Sequence, residues 1–134
     1  MKRIFVDTSG WYSLMDQDGP DHPAVEAWFR SNTFPLITTN YTFSETVTLI
    51  MNRLGHRAAV AFGGELMESR SILFFRATEE DEKKAWEYFV KHSDKEYSFV
   101  DCLSFVVMKK LQVREALSID KHFRQSGFRV FPEK

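Results

Sequence analysis

An α/β fold with a mainly parallel sheet is predicted for this 134-residue chain by three observations. Short apolar runs of bulky and β-branched residues recur along it, and each is too short to be a helix. Stretches with helical spacing separate these runs, and the alternation of strand with helix is what a parallel sheet with crossover helices requires. Nothing interrupts the alternation: there is no internal repeat, low-complexity tract or linker, so residues 1–134 read as one domain.

The elements follow in order. Arg3 to Val6 is a short buried strand. Thr8 or Ser9 can cap a helix carrying Trp11, Tyr12, Leu14 and Met15, which the run from Asp16 to Pro20 breaks. Asp21-His22-Pro23 opens a second helix with proline in its first turn, followed by Ala24, Val25, Ala27, Trp28 and Phe29. Pro35 to Thr38 is the second strand. The helix from about Tyr41 to Leu54 places Phe43, Val47, Ile50, Met51 and Leu54 at helical spacing, and Gly55 ends it. Arg57 to Arg70 continues as helix, with Gly63-Gly64 as a kink. Ile72 to Phe75 is the third strand. Thr78 caps an amphipathic helix whose inner face is Ala85, Trp86, Phe89 and Val90. Phe99 to Leu111 is apolar on almost every side, the mark of a buried helix. Glu115 to Ile119 is a fourth strand, ending in Asp120, and Phe128 to Phe131 is a fifth, at the sheet edge.

Composition sets limits on function. A hydrophobic share of 43% with 28% charged residues is that of a soluble globular protein, and 13 phenylalanines predict a bulky interior. The formal net charge of -1 gives no general pull toward nucleic acid, so any such contact is local. One cysteine, Cys102, excludes an intrachain disulfide and fits a reducing cytoplasm. Met1-Lys2-Arg3 resembles the start of a signal peptide, but the apolar run after it stops at Asp7, and no later run is long enough to span a membrane.

Four acids carry the chemical signal: Asp7, Glu45, Asp101 and Asp120, each at or just after an element junction. Strands of a parallel sheet end at one edge, and ligands bind in the crevice beyond it. Asp7 and Asp120 end their strands there, and Glu45 lies in the first turn of the helix after strand two. Asp101 opens a helix that must run down from that edge, because a very short link joins it to strand four. Crowded carboxylates repel, so such a group makes sense mainly around divalent cations.

Each acid also has a plainer reading. Thr42 to Glu45 and Ser98 to Asp101 both fit the capping-box spacing, and taken singly Glu45 reads as a cap. Asp120 is equally an N-cap for a short turn through Lys121-His122-Phe123, and Asp7 a cap for the first helix. Asp101 resists dismissal, since it sits on the most apolar helix of the chain, where an unpaired carboxylate is expensive. Other features carry less. Glu79-Glu80-Asp81-Glu82 opens a helix, where negative charge suits the dipole, and reads as a solvated start. His22, His56, His92 and His122 share no ligand spacing and read as surface or packing residues. Arg53, His56 and Arg57, with Lys121, His122 and Arg124, read as ordinary surface charge, with RNA phosphate contact as the alternative.

Four passages, Ile4 to Ser9, Thr39 to Glu45, Ser98 to Cys102 and Leu117 to Phe123, together resemble the PIN-domain nucleases. Within them the likeness is to the VapC-type toxin ribonucleases of prokaryotic toxin–antitoxin pairs. The resemblance implies a three-layer α/β/α sandwich around a mainly parallel sheet of about five strands. It implies Mg2+- or Mn2+-dependent cleavage of RNA in the cytoplasm, a small antitoxin partner and a homodimer. Matched residue by residue, Asp7, Glu45, Asp101 and Asp120 are the acidic quartet, and Thr8 and Ser98 are supporting hydroxyls. The expected division of labour gives the first ion to Asp7 and Asp101. Glu45 and Asp120 then act through water, hold a second ion or orient the attacking water. The alternatives are a PIN-like module that binds RNA or protein without cutting, and a receiver-like phosphotransfer domain. The latter wants an acid pair after strand one, where this chain has Thr8 and Ser9.

Overall fold

Alternating side chains along each short strand give the sheet two apolar faces, and a computed structural model shows what covers them. It describes residues 2–133, so Met1 of the N-terminal run lies outside the described residues. The elements are β1 (Ile4–Val6), α1 (Thr8–Met15), α2 (His22–Ser31), β2 (Leu36–Thr39), α3 (Asn40–Leu54) and α4 (His56–Glu68). Then come β3 (Ile72–Phe75), α5 (Glu79–Lys91), α6 (Phe99–Lys110), β4 (Glu115–Leu117), α7 (His122–Gln125) and β5 (Arg129–Phe131).

The five strands are all parallel, in the order β3-β2-β1-β4-β5. Phe5, Ile37, Ala116 and Val130 point to one face, where α5, α6 and α7 cover them with Ala85, Leu103, Phe105 and Phe123. Ile4, Val6, Leu36 and Leu117 point to the other, against Trp11, Val25, Ile50 and Phe62 from α1 to α4. This is the expected three-layer sandwich, with β1 central and β3 and β5 at the edges.

Several boundaries differ from the sequence reading. α4 is one uninterrupted helix from His56, with Gly63 packed on Phe43 where a kink was expected. Gly55 ends α3 and starts α4 at φ 102°, a conformation that needs glycine. β4 stops at Leu117, three residues before Asp120, although Ser118 N–H still donates to the Phe131 carbonyl at 3.0 Å.

The largest difference lies in α5. Ala85 is buried, but Trp86, Phe89 and Val90 are exposed by 57, 39 and 58%. The Thr78 cap fixes the helix phase: Asp81 closes a capping box with Thr78 and is buried, paired with Lys110 at 3.0 Å. The inward line is therefore Asp81, Ala85 and Tyr88, at i, i+4 and i+7, which turns the three large apolar residues outward. Asp81 is thus not a solvated acid, contrary to the reading of that run.

Candidate active site

Asp7 follows β1 directly and is 6% exposed. It is the N-cap of α1, the plainer role the sequence also offered it, in place of Thr8 or Ser9: Gly10 N–H donates to its Oδ1 at 3.0 Å. Ser9 Oγ donates to the same oxygen at 2.7 Å, and Ser118 Oγ donates to Oδ2 at 2.8 Å. Burial, and then the charge of Asp120, push the Asp7 carboxyl up to about 8, against the pull of these hydrogen bonds. Ser9 also accepts the Ile119 N–H at 2.8 Å, so the loops after β1 and β4 are tied together beside Asp7.

Glu45 is not a cap. Helix α3 begins at Asn40, its N-cap is Thr39, and Thr39 Oγ1 accepts the Thr42 N–H at 3.1 Å. Glu45 therefore lies in the second turn, with its side chain free to reach across to α1. There Thr8 Oγ1 donates to Glu45 Oε1 at 2.5 Å, and Thr46 Oγ1 lies 3.1 Å from the Thr8 hydroxyl. Thr8 thus connects the β1 end with α3.

Asp101 is both a cap and a cleft residue. Ser98 N–H donates to Asp101 Oδ2 at 3.0 Å, and Asp101 N–H donates to Ser98 Oγ at 3.0 Å, which completes the capping box that opens α6. Burial, opposed by the Ser98 bond, raises the Asp101 carboxyl. The helix descends to a tight turn at Gln112, φ 58°, and the chain re-enters the sheet as β4, which is why Asp101 sits at the top. Asp120 accepts the His122 N–H at 2.9 Å, a local turn that starts α7. Lys121, not Asp120, is the N-cap position of that helix.

The sequence reading set His122 aside, and the structure brings it into the cleft. Its Nδ1 lies 2.8 Å from Asp101 Oδ2 and 3.8 Å from Asp120 Oδ1. Asp101, Asp120 and His122 offer donor atoms within 4.8 Å of one another. A signal for it existed: His122 follows Asp120 by two residues, the reach of an Asx-type turn. The other discounted features stay out of the cleft. Cys102 is buried, and burial raises its thiol to about 11, far from a reactive thiolate.

Asp7, Glu45, Asp101 and Asp120 border one cleft of about 710 Å³, with Thr8, Ser98 and His122 in its walls. Asp7 and Glu45 line the same cleft as the tight trio of Asp101, Asp120 and His122. Among the described residues no lysine or arginine lines the cleft. Its charged wall is dominated by four carboxylates, so the donor set suits a hard divalent cation, which takes oxygen ligands and offsets the negative charge of both the acids and a phosphate.

A parallel sheet with an acidic cleft at the carboxyl ends of its strands defines a class, and the chain belongs to it: it is a member of the PIN domain family, whose model matches residues 4–128. It is similar to the 23S rRNA-specific endonuclease VapC20 of Mycobacterium tuberculosis, 39% identical over 131 residues, covering 97% of this chain and 99% of that one. It is 27% identical to the ribonuclease VapC26 of the same organism, covering 90% of this chain and 89% of the relative. The crystal structure of Mycobacterium tuberculosis VapC20, described as a sarcin–ricin loop cleaving toxin, superposes with a TM-score of 0.89 at 38% identity, over 93% of this chain and 95% of that chain. FitAcB from Neisseria gonorrhoeae has a TM-score of 0.65 at 19% identity, over 96% of each chain, a likeness of fold.

Proposed function

We propose that this chain is a divalent-cation-dependent endoribonuclease acting in the cytoplasm as the toxin of a toxin–antitoxin pair. The observation that carries this reading is the cleft itself, with four carboxylates around it and, among the described residues, no lysine or arginine in its wall. The relationship to VapC20 supports the ribonuclease and toxin assignments, and makes 23S rRNA the first substrate to try.

Asp101, Asp120 and Asp7 are the residues that would hold Mg2+ or Mn2+. When bound, the cation supplies Lewis-acid stabilisation of the charge that builds on the phosphodiester and activates water for in-line attack. The residues of the chain supply the rest. Ser9, Gly10 and Ser118 hold the Asp7 carboxylate in one orientation, and the Ser98 cap does the same for Asp101. Thr8 holds Glu45 at the cleft mouth, where its carboxylate can orient the attacking water or complete the cation shell. None of this needs a histidine base. The reading also carries two partners, a short antitoxin protein and a second copy of the chain.

Purified protein incubated with 23S rRNA and Mn2+ or Mg2+ should cut it. EDTA should stop cleavage, and Asp101→Asn should lower it by about 100-fold or more while the protein stays folded. Cleavage that persists in excess chelator, or at full rate in Asp101→Asn, would remove the metal mechanism.

A further inference from the structure

Asp101 and Asp120 each have one oxygen engaged by the protein and one left over. Asp101 Oδ2 accepts the Ser98 N–H at 3.0 Å and lies 2.8 Å from His122 Nδ1. Asp120 Oδ1 accepts the His122 backbone N–H at 2.9 Å. Among the described residues, Asp101 Oδ1 and Asp120 Oδ2 accept no hydrogen bond. A single residue therefore holds both carboxylates, one through its ring and the other through its main chain. The ring is itself held: it meets the Tyr97 ring edge-on at 5.7 Å between centroids, and the next residue, Phe123, is fully buried against Phe5 and Phe105.

We propose that His122 is a positioning residue for the proposed nuclease reaction: its imidazole donates to Asp101 Oδ2 and so aims the remaining oxygens of Asp101 and Asp120 at a shared divalent cation. The inference rests on the cation-dependent reading above. The two carboxylates come from segments that meet only in the folded chain, and like charges this close push apart. An imidazole donor between them opposes that separation before any cation arrives. Partners of this kind outside the ligand set commonly contribute about 10–100-fold in metal affinity. The 2.8 Å reach to Asp101 and the edge-on contact with Tyr97 separate this role from a direct contact with RNA phosphate. A phosphate contact would act on substrate affinity, whereas a positioning role acts on the cation.

Two variants isolate the hydrogen bond. His122→Phe keeps a ring against Tyr97 and removes the donor. His122→Asn loses the ring and keeps a donor near the Nδ1 position, and leaves the main-chain bond to Asp120 in place. Mn2+ affinity is read without RNA, by calorimetry and by the cation-induced rise in melting temperature, and cleavage is then followed across Mn2+ concentrations. The expected result is a Kd for Mn2+ raised by about 10-fold or more in His122→Phe and largely recovered in His122→Asn. Cleavage by His122→Phe should approach wild type at saturating Mn2+, with KM for RNA unchanged. Wild-type Mn2+ affinity in His122→Phe overturns the proposal, as does a raised KM with unaltered cation binding. If His122→Phe does not fold, His122→Leu gives the same comparison. Wild-type protein that binds no divalent cation overturns the parent reading, and this inference with it; the wild-type titration tells the two failures apart.

Discussion

Asp7 is where burial and charge compete most directly. Its carboxyl is raised to about 8 from an ordinary value of 3.8, so the folded chain keeps a proton that the unfolded chain gives up near pH 4. Between these two values the unfolded state binds fewer protons, so stability falls as pH rises from about 4 to about 8 and levels off above that. Differential scanning calorimetry in EDTA should therefore show a melting temperature that declines over this window. Asp7→Asn should flatten the decline, and an equal slope in the mutant would mean another group is responsible. A cation needs the deprotonated carboxylate, so the Mn2+-induced rise in melting temperature should be larger at pH 8 than at pH 5.5. Thr8 acts at the same scale. Thr8→Val keeps the side-chain shape and removes the donor to Glu45 Oε1, so cleavage should fall while the melting temperature moves little.

Elements hold these residues in place by close packing. Gly10 lies in the first turn of α1, where an added Cβ would sit 2.9 Å from the Leu117 carbonyl oxygen and 3.2 Å from its side chain. That carbonyl accepts the Asp7 N–H at 3.2 Å, so the contact that excludes a side chain also sets the height of the Asp7 carboxyl group. Gly10→Ala should cost about 1–3 kcal/mol by urea denaturation and lower cleavage as well. Unchanged stability would mean that α1 shifts freely on the sheet. Helix α6 is fixed by its buried face: Phe105 is fully buried and stacks on Phe128, edge-on to Phe123. Phe105→Ala should cost about 3–5 kcal/mol and loosen α7, which carries His122. Ser98→Ala is milder. It removes the cap acceptor at an expected cost of about 1 kcal/mol. Its effect on cleavage should exceed its effect on stability, because the same capping box orients Asp101.

At the scale of the molecule, the sheet separates two apolar cores and leaves its carboxyl edge open as the cleft. No helix among the described residues is long and apolar enough to cross a membrane. The proposed partners are tested on the intact chain. Expression with its neighbouring gene should yield a short protein that co-purifies and suppresses cleavage, and light scattering should report a dimer mass for the free chain. A free chain that stays monomeric at high concentration would remove the homodimer, leaving the nuclease reading untouched.

The fold and the acid positions were legible because they depend on local pattern. Short apolar runs marked every strand, caps and breakers marked most helix ends, and the acids stood at element junctions. Where the reading missed, the deciding contact lay far along the chain. In α5 the buried Asp81 meets Lys110 across 29 positions, on the side opposite the exposed Trp86, Phe89 and Val90. Thr8 meets Glu45 across 37 positions, Ser118 meets Asp7 across 111, and His122 meets Asp101 across 21. Periodicity reports which face of an element is apolar, and it carries no information on which side chain of another element will arrive there. The amino-acid order alone determined an α/β fold with a mainly parallel sheet and acids near its carboxyl edge. Tertiary packing decided which hydroxyls and which histidine hold those acids, because hydrogen bonds between distant segments form only once the sheet has brought the loops together.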